Sequence, residues 1–503
     1  MNNRKITRRR ALQGLTALGV GAAAGGYGLS RRSRAAGEGD GPRFLIVLAA
    51  SGGASIIDAM LAIRDTESAN ASTINTFPEA MVQDVAGSPF RAVDQSFTEL
   101  GAIPAPFSTS QSTFVQSHHQ DMMVATLTAT SVNHAIAQRR SITGNEAWYG
   151  RTLQEAVALQ HGEGFALPNV HLLAGTGHSV RGTDDSIPGY CFGEMVADPK
   201  LWPLALDGVM GTSHPVDRGL LGAARSLRND RLDPKSRFSE AFGASSKLQE
   251  WKRLRGVPQQ QVETAQLINQ LMVLPDSAEY PLSANGLSPS PDGELVRSVF
   301  PGYETDPLDA QAALAFLLLK NRVSVSVTLG PDFNASLDAG IEQGQGIPEG
   351  GLNNPPIAFD FSHQSHRAAQ AFMWERVMRV ADGLITLLQG VEWEDGESMW
   401  DRTMIYLASD FGRTKTRPSG SETFGSGHDL NNAVLAISPL VNGNSVLGGV
   451  DPDTGLTYGF DPISGAPQPG RTMTEPEIYS GLLGAMGVES GSELPSVPAM
   501  RKA

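Results

Sequence analysis

Fully apolar runs alternate with helix-periodic segments along most of this chain. Residues 44–50 (FLIVLAA) are apolar at every position and are followed by Ser-Gly-Gly. A continuous run of that length predicts a strand buried on both faces, turned sharply by the glycines at its carboxyl end. Similar runs occur at 122–130 (MMVATLTAT), 323–330 (VSVSVTLG), 402–410 (RTMIYLASD) and 431–439 (NNAVLAISP). Helices are predicted over 151–161, 246–256, 259–272, 307–322, 367–391 and 474–488, the last with a stop at Gly487. In the fifth, Phe372, Val377, Val380, Leu384 and Leu388 recur close to helical spacing. Strands and helices in this alternation predict an α/β protein with a mostly parallel central sheet and helices on both faces. Residues 151–300 are less regular and richer in Gly, Asp and Pro, and are expected to be partly an insertion or cap on the sheet. No internal repeat is apparent.

Composition narrows the class of protein. With 503 residues, 40% of them hydrophobic and 18% charged, the chain can bury a large core. The formal charge is −14 and no basic block lies beyond the N-terminus, which argues against a nucleic-acid binder. The single cysteine, Cys191, rules out an intrachain disulfide and is expected to be a buried thiol. No cysteine cluster, haem motif or strand-linked GxGxxG supports a redox enzyme.

The N-terminus reads as a targeting segment. Thr7-Arg8-Arg9-Arg10-Ala11-Leu12-Gln13 precedes an Ala/Gly-rich stretch too short and too weakly apolar for a stable span, as in a twin-arginine signal. Cleavage near Ala35 or Ala36 is expected. Residues 1–36 hold eight of the 39 basic residues and no acid, so the remainder has 31 basic and 53 acidic residues, a balance of −22. The expectation is a protein exported folded through the twin-arginine translocase, to the periplasm or beyond. It would keep no membrane span after processing and consist of one α/β domain over 37–490 and a tail over 491–503.

Candidate chemistry gathers where apolar runs end. Asp58 follows the first strand. Ser131 and His134 follow the second, where Ser131 can cap a helix and serve either as a nucleophile at its N-terminus or as a plain cap. Asp360, His363 and His366 precede the long helix. Asp410 and Arg413 lie in SDFGRT, straight after a strand, with His428 and Asp429 downstream. A parallel sheet delivers such ends to one edge. Carboxylates and imidazoles gathered there suit a divalent cation. The competing reading gives them separate uses: Asp410 as a cap, the histidines as loop residues.

Together, the signal, SGGASIID, NHAIAQRRSITG, the Asp/His loop before a long helix, SDFGRT, GHD and EIYSGLLGAMGV resemble an exported bacterial family known as domain of unknown function 1501. That family resembles the alkaline phosphatase/sulfatase superfamily. The resemblance covers most of residues 37–490 and is sharpest over 41–150 and 355–490. It implies an alkaline phosphatase-like fold with a cap, one or two divalent ions (Zn, Mn, Ca or Mg) and hydrolysis of small anionic phosphate or sulfate esters. It further implies Asp58, Asp360, His363, His366, Asp410 and His428 as metal ligands. Ser131 would be the nucleophile and Arg413 would meet an anionic group, while His134, one turn beyond Ser131, is a catalytic candidate from its position in the sequence. Two departures stand out. Phe411 occupies the position where those phosphatases have His, and the loop reads DFSHQSH rather than Asp-Thr-His. They leave open a descendant without catalysis, serving as an envelope binding or structural protein.

Overall fold

The computed structural model describes residues 41–94, 110–144, 149–172, 181–206, 218–246, 248–249, 252, 267–331, 359–363, 365–394, 396–418, 424–488 and 494–502. The twin-arginine segment and most of the helices expected over 246–256 and 259–272 lie outside the described residues, although Leu267–Leu271 is helical.

Eight strands form one sheet: β1 (Phe44–Ala49), β2 (Met122–Thr128), β3 (Asn169–His171), β4 (Glu194–Met195), β5 (Ser326–Leu329), β6 (Thr403–Ala408), β7 (Asn431–Ile437) and β8 (Ser445–Leu447). Their spatial order is β8-β2-β7-β6-β1-β5-β3-β4. β7 pairs antiparallel with both β2 and β6, whereas every other neighbouring pair is parallel. The sheet is therefore mixed, with one reversed strand in an otherwise parallel array. The five strands expected from apolar runs are all present, and β1, β5, β6 and β7 are buried at every position. Burying each Val, Leu or Ile of such strands contributes about 1.5–3 kcal/mol.

Helices α1 (Ser110–His118), α2 (His134–Ala137), α3 (Leu153–His161), α4 (Pro307–Lys320), α5 (His366–Gln389) and α6 (Glu475–Ala485) accompany the sheet. α3 opens on a capping box between Thr152 and Glu155. α4 opens with Pro307 after Asp306, whose side chain accepts from Leu308 N. α6 ends before Gly487, which has φ +65°. None of the described helices is long and apolar enough to cross a membrane.

Two features add detail to the expected organisation. Within residues 151–300, β3 and β4 extend the edge of the sheet and α3 packs against β1 and β5. Residues 219–246, in contrast, contain no buried side chain among those described. Asp451–Gly455 (DPDTG) and Asp461–Gly465 (DPISG) form matching turns. In each, the aspartate Oδ1 accepts from two following backbone N–H groups and from a Thr or Ser hydroxyl. Residues 494–502 pack back on the core through Val497 and Met500. Cys191 is buried, and burial pushes its thiol up to about 12.

Candidate metal centre at the carboxyl edge of the sheet

The turn after β1 organises the site. Gly52 (φ +100°) and Gly53 (φ +83°) adopt a backbone that favours glycine, and both N–H groups donate to Asp410 Oδ1 at 3.0 Å. Asp410 follows β6, the parallel neighbour of β1, so the two strands end side by side. Its other oxygen, Oδ2, accepts from His134 Nδ1 at 2.8 Å. The acid after the buried strand thus holds the neighbouring turn with one oxygen and a histidine with the other. The segments SDFGRT and GHD are then joined by a short antiparallel ladder in which His428 faces Arg413 and Asp429 faces Gly412.

Three side chains converge beside Asp410. Ligand atoms of His134, Asp360 and His428 all lie within 4.8 Å of one another, a grouping that can hold a metal ion. Asp360 Oδ1 is 3.4 Å from His134 Nε2 and 3.4 Å from His428 Nε2. Two donors on a tetrahedral zinc, each roughly 2.0–2.1 Å from the ion, stand roughly 3.3 Å apart, so these separations fit. Each histidine has its Nδ1–H engaged elsewhere, His134 on Asp410 and His428 on the Val132 carbonyl at 2.8 Å. Both therefore present Nε2 to the centre, the usual division of labour in metal-bound imidazole. A His₂Asp set suits Zn²⁺ or Mn²⁺ and leaves a fourth position open.

The surroundings tune these groups. Burial works against the charged His134 ring, but Asp360 and Asp410 outweigh it and raise its pKa to about 9. Burial would raise the Asp360 pKa, yet His134, His428 and the Arg413 guanidinium hold it well below the usual carboxylate range. Phe411 is fully buried, stacks on His428 with ring centroids 4.0 Å apart, and packs against His134 at 4.8 Å. Phe411, directly after Asp410, thus braces two rings of the centre.

The other expected site residues are distributed around this group. His363 lies beside it: its Nε2 is 3.5 Å from Asp360 Oδ1 and 2.8 Å from His428 Nε2. Its pKa is lowered by burial first and by Arg413 second. Asp410 stands behind His134. Arg413 is fully buried; it donates to Asp360 Oδ1 at 2.8 Å and to the carbonyls of Gly52 and Ser426, so the anionic group it meets is Asp360. Asp58 and His366 form a separate buried pair, Oδ2 to Nε2 at 3.0 Å, outside the three-residue group. Ser131 does not cap α2. Asn133 does, its Oδ1 accepting from Ile136 N, while Ser131 Oγ accepts from Asn133 N at 3.1 Å. Ser131 directly precedes Val132, whose carbonyl holds His428. Sequence reasoning passed over Ser426, a buried partner of His366, because a lone serine in a Gly-rich loop carries no periodic signal.

No family model matches this chain, and no curated protein matches it.

Proposed function

We propose that this protein is an exported, metal-dependent hydrolase of small phosphate or sulfate esters, with His134, Asp360 and His428 holding one divalent ion. The observation that carries the reading is the convergence of these three donors, from three segments distant in sequence, at the carboxyl edge of the sheet. An ion there would polarise an ester oxygen and offset negative charge developing in the transition state. Asp410 and the Val132 carbonyl would keep both imidazoles with Nε2 toward the ion. Arg413 would hold Asp360 ionised and in place. Ser131 is the candidate nucleophile on the rim, within one residue of the Val132 contact. An alkaline phosphatase-like ancestry and passage through the twin-arginine translocase belong to the same proposal and rest on the sequence motifs.

Elemental analysis of the folded protein, beside a His134→Ala/His428→Ala double variant, tests it. Near-stoichiometric Zn, Mn, Ca or Mg in the parent and none in the variant is expected, followed by turnover in a screen of phosphate and sulfate esters. Bound metal without turnover on either ester class would support the envelope binding protein instead. No metal after reconstitution would remove the hydrolase reading.

A further inference from the structure

Asp58, His366 and Ser426 form a continuous hydrogen-bonded chain directly behind the metal centre. His366 Nε2 lies 3.0 Å from Asp58 Oδ2, and His366 Nδ1 lies 2.7 Å from Ser426 Oγ. These residues have the composition of a nucleophilic Ser–His–Asp relay. Their setting gives them another task. Asp58 and His366 are each 1% exposed and Ser426 is 3% exposed, so no substrate meets the hydroxyl. Asn75 Nδ2 donates to Asp58 Oδ1 at 2.9 Å, and the His366 ring stacks on Phe424.

What the chain does touch is the scaffold of the metal centre. Ser426 lies two residues before His428. Its N–H donates to the Ser362 carbonyl at 2.8 Å, and its own carbonyl accepts from Arg413 at 3.1 Å. The His366 N–H donates to the Phe424 carbonyl. One turn further along α5, Gln370 Nε2 donates to Ser362 Oγ at 3.0 Å and to the Gly53 carbonyl at 2.9 Å. Next on the same face, Trp374 Nε1 donates to the Ser55 carbonyl. Positions i, i+4 and i+8 of one helix therefore grip the loop carrying His428, the loop carrying Asp360 and the turn that cradles Asp410.

We infer that His366 is a positioning residue of the metal centre, acting through Ser426 to fix His428 in its ligating pose. This rests on the metal reading above. Its specific claim is that the Nδ1-to-Ser426 link, not the bulk of the ring, sets metal affinity. An asparagine at this position places its amide near the Nδ1 site, and a glutamine near the Nε2 site. His366→Asn keeps the Ser426 link and drops Asp58, whereas His366→Gln does the reverse. Both lose the ring and its stacking on Phe424.

The test is a Co²⁺ titration, followed by visible absorption and repeated in competition with Zn²⁺, on the parent, His366→Asn, His366→Gln and Ser426→Ala. The expected result is affinity close to the parent in His366→Asn, with a loss of about 10- to 100-fold in both His366→Gln and Ser426→Ala, the range for partners that orient ligands. Equal affinities in His366→Asn and His366→Gln would overturn the inference and leave the metal centre standing. A parent that binds no Co²⁺ overturns both. Should a His366 variant fail to fold, Ser426→Ala alone decides: unchanged affinity refutes the link.

Discussion

The carboxyl edge of this sheet carries two acid–histidine clusters of nearly the same chemistry. In one, His134, Asp360 and His428 keep side-chain exposures of 23, 19 and 20%. In the other, Asp58 and His366 are at 1%. The open cluster has ring nitrogens that face one another, with their outer nitrogens already satisfied. The sealed cluster has both imidazole nitrogens and both Asp58 oxygens committed to protein partners. Residue type alone does not separate a ligand set from a structural pair. The convergence of three donor groups and their partial exposure do.

That contrast can be broken by substitution. The largest effect on stability is expected from Asp58→Ala, which strands a buried imidazole and Asn75. A loss of about 3–5 kcal/mol, the scale for breaking a buried ion pair, should appear in urea unfolding. His428→Ala should cost less, about 1–2 kcal/mol in the same measurement, since its contacts with Val132, His363, Asp360 and Phe411 lie at a part-exposed position and strand no fully buried charge. It should nonetheless abolish metal binding in a Co²⁺ titration. Equal stability losses would erase the distinction between the two clusters.

Acid sharpens it. Burial raises the Asp58 pKa, but His366 and the hydrogen bonds to it bring the folded value down to about 2, below the ordinary 3.8. The unfolded chain then binds the proton more tightly, so this group stabilises the fold fully above pH 3.8 and ceases to do so as pH falls through about 2. The contribution is about 2 kcal/mol. Stability of Asp58→Asn should lack that component of the acid limb. A parallel pair of curves between pH 4 and 2 would contradict the assignment.

The smallest effect concerns the brace. Phe411→Leu keeps an apolar side chain but removes the ring stacked on His428. Metal affinity should fall by less than the about 10-fold expected for a lost hydrogen-bonded partner. A larger loss would make stacking, rather than the Val132 carbonyl, the main constraint on that imidazole.

Much of this was legible in the chain. The long apolar runs became β1, β2, β5, β6 and β7, and the strand-end acids and histidines do gather at one edge. The short strands β3, β4 and β8 were not legible, because two or three residues have no period. Nor was the sorting of the histidines. His363 and His366 are three residues apart, yet one ends a 3₁₀ turn beside the open cluster and the other begins α5 inside the sealed one. Asp410 was foreseen at the site but as a ligand. Its place behind His134 depends on Gly52 and Gly53, more than 350 residues away in sequence. The reversed direction of β7 and the twin DPxTG/DPxSG turns also arise from pairing partners remote from the pattern read locally.

The pairing of β1 with β6 bears on the order of events during synthesis. Val47 sits opposite Tyr406, so the middle of the sheet joins the first described strand to one near the end. Contacts so distant along the chain close slowly, since a long loop must be ordered before they form. No growing polypeptide that stops before residue 403 can own the Gly52–Asp410 cradle or a complete ligand set. A cation held by His134, Asp360 and His428 would therefore arrive late, after nearly all of the chain is available, and an amino-terminal fragment would lack that site.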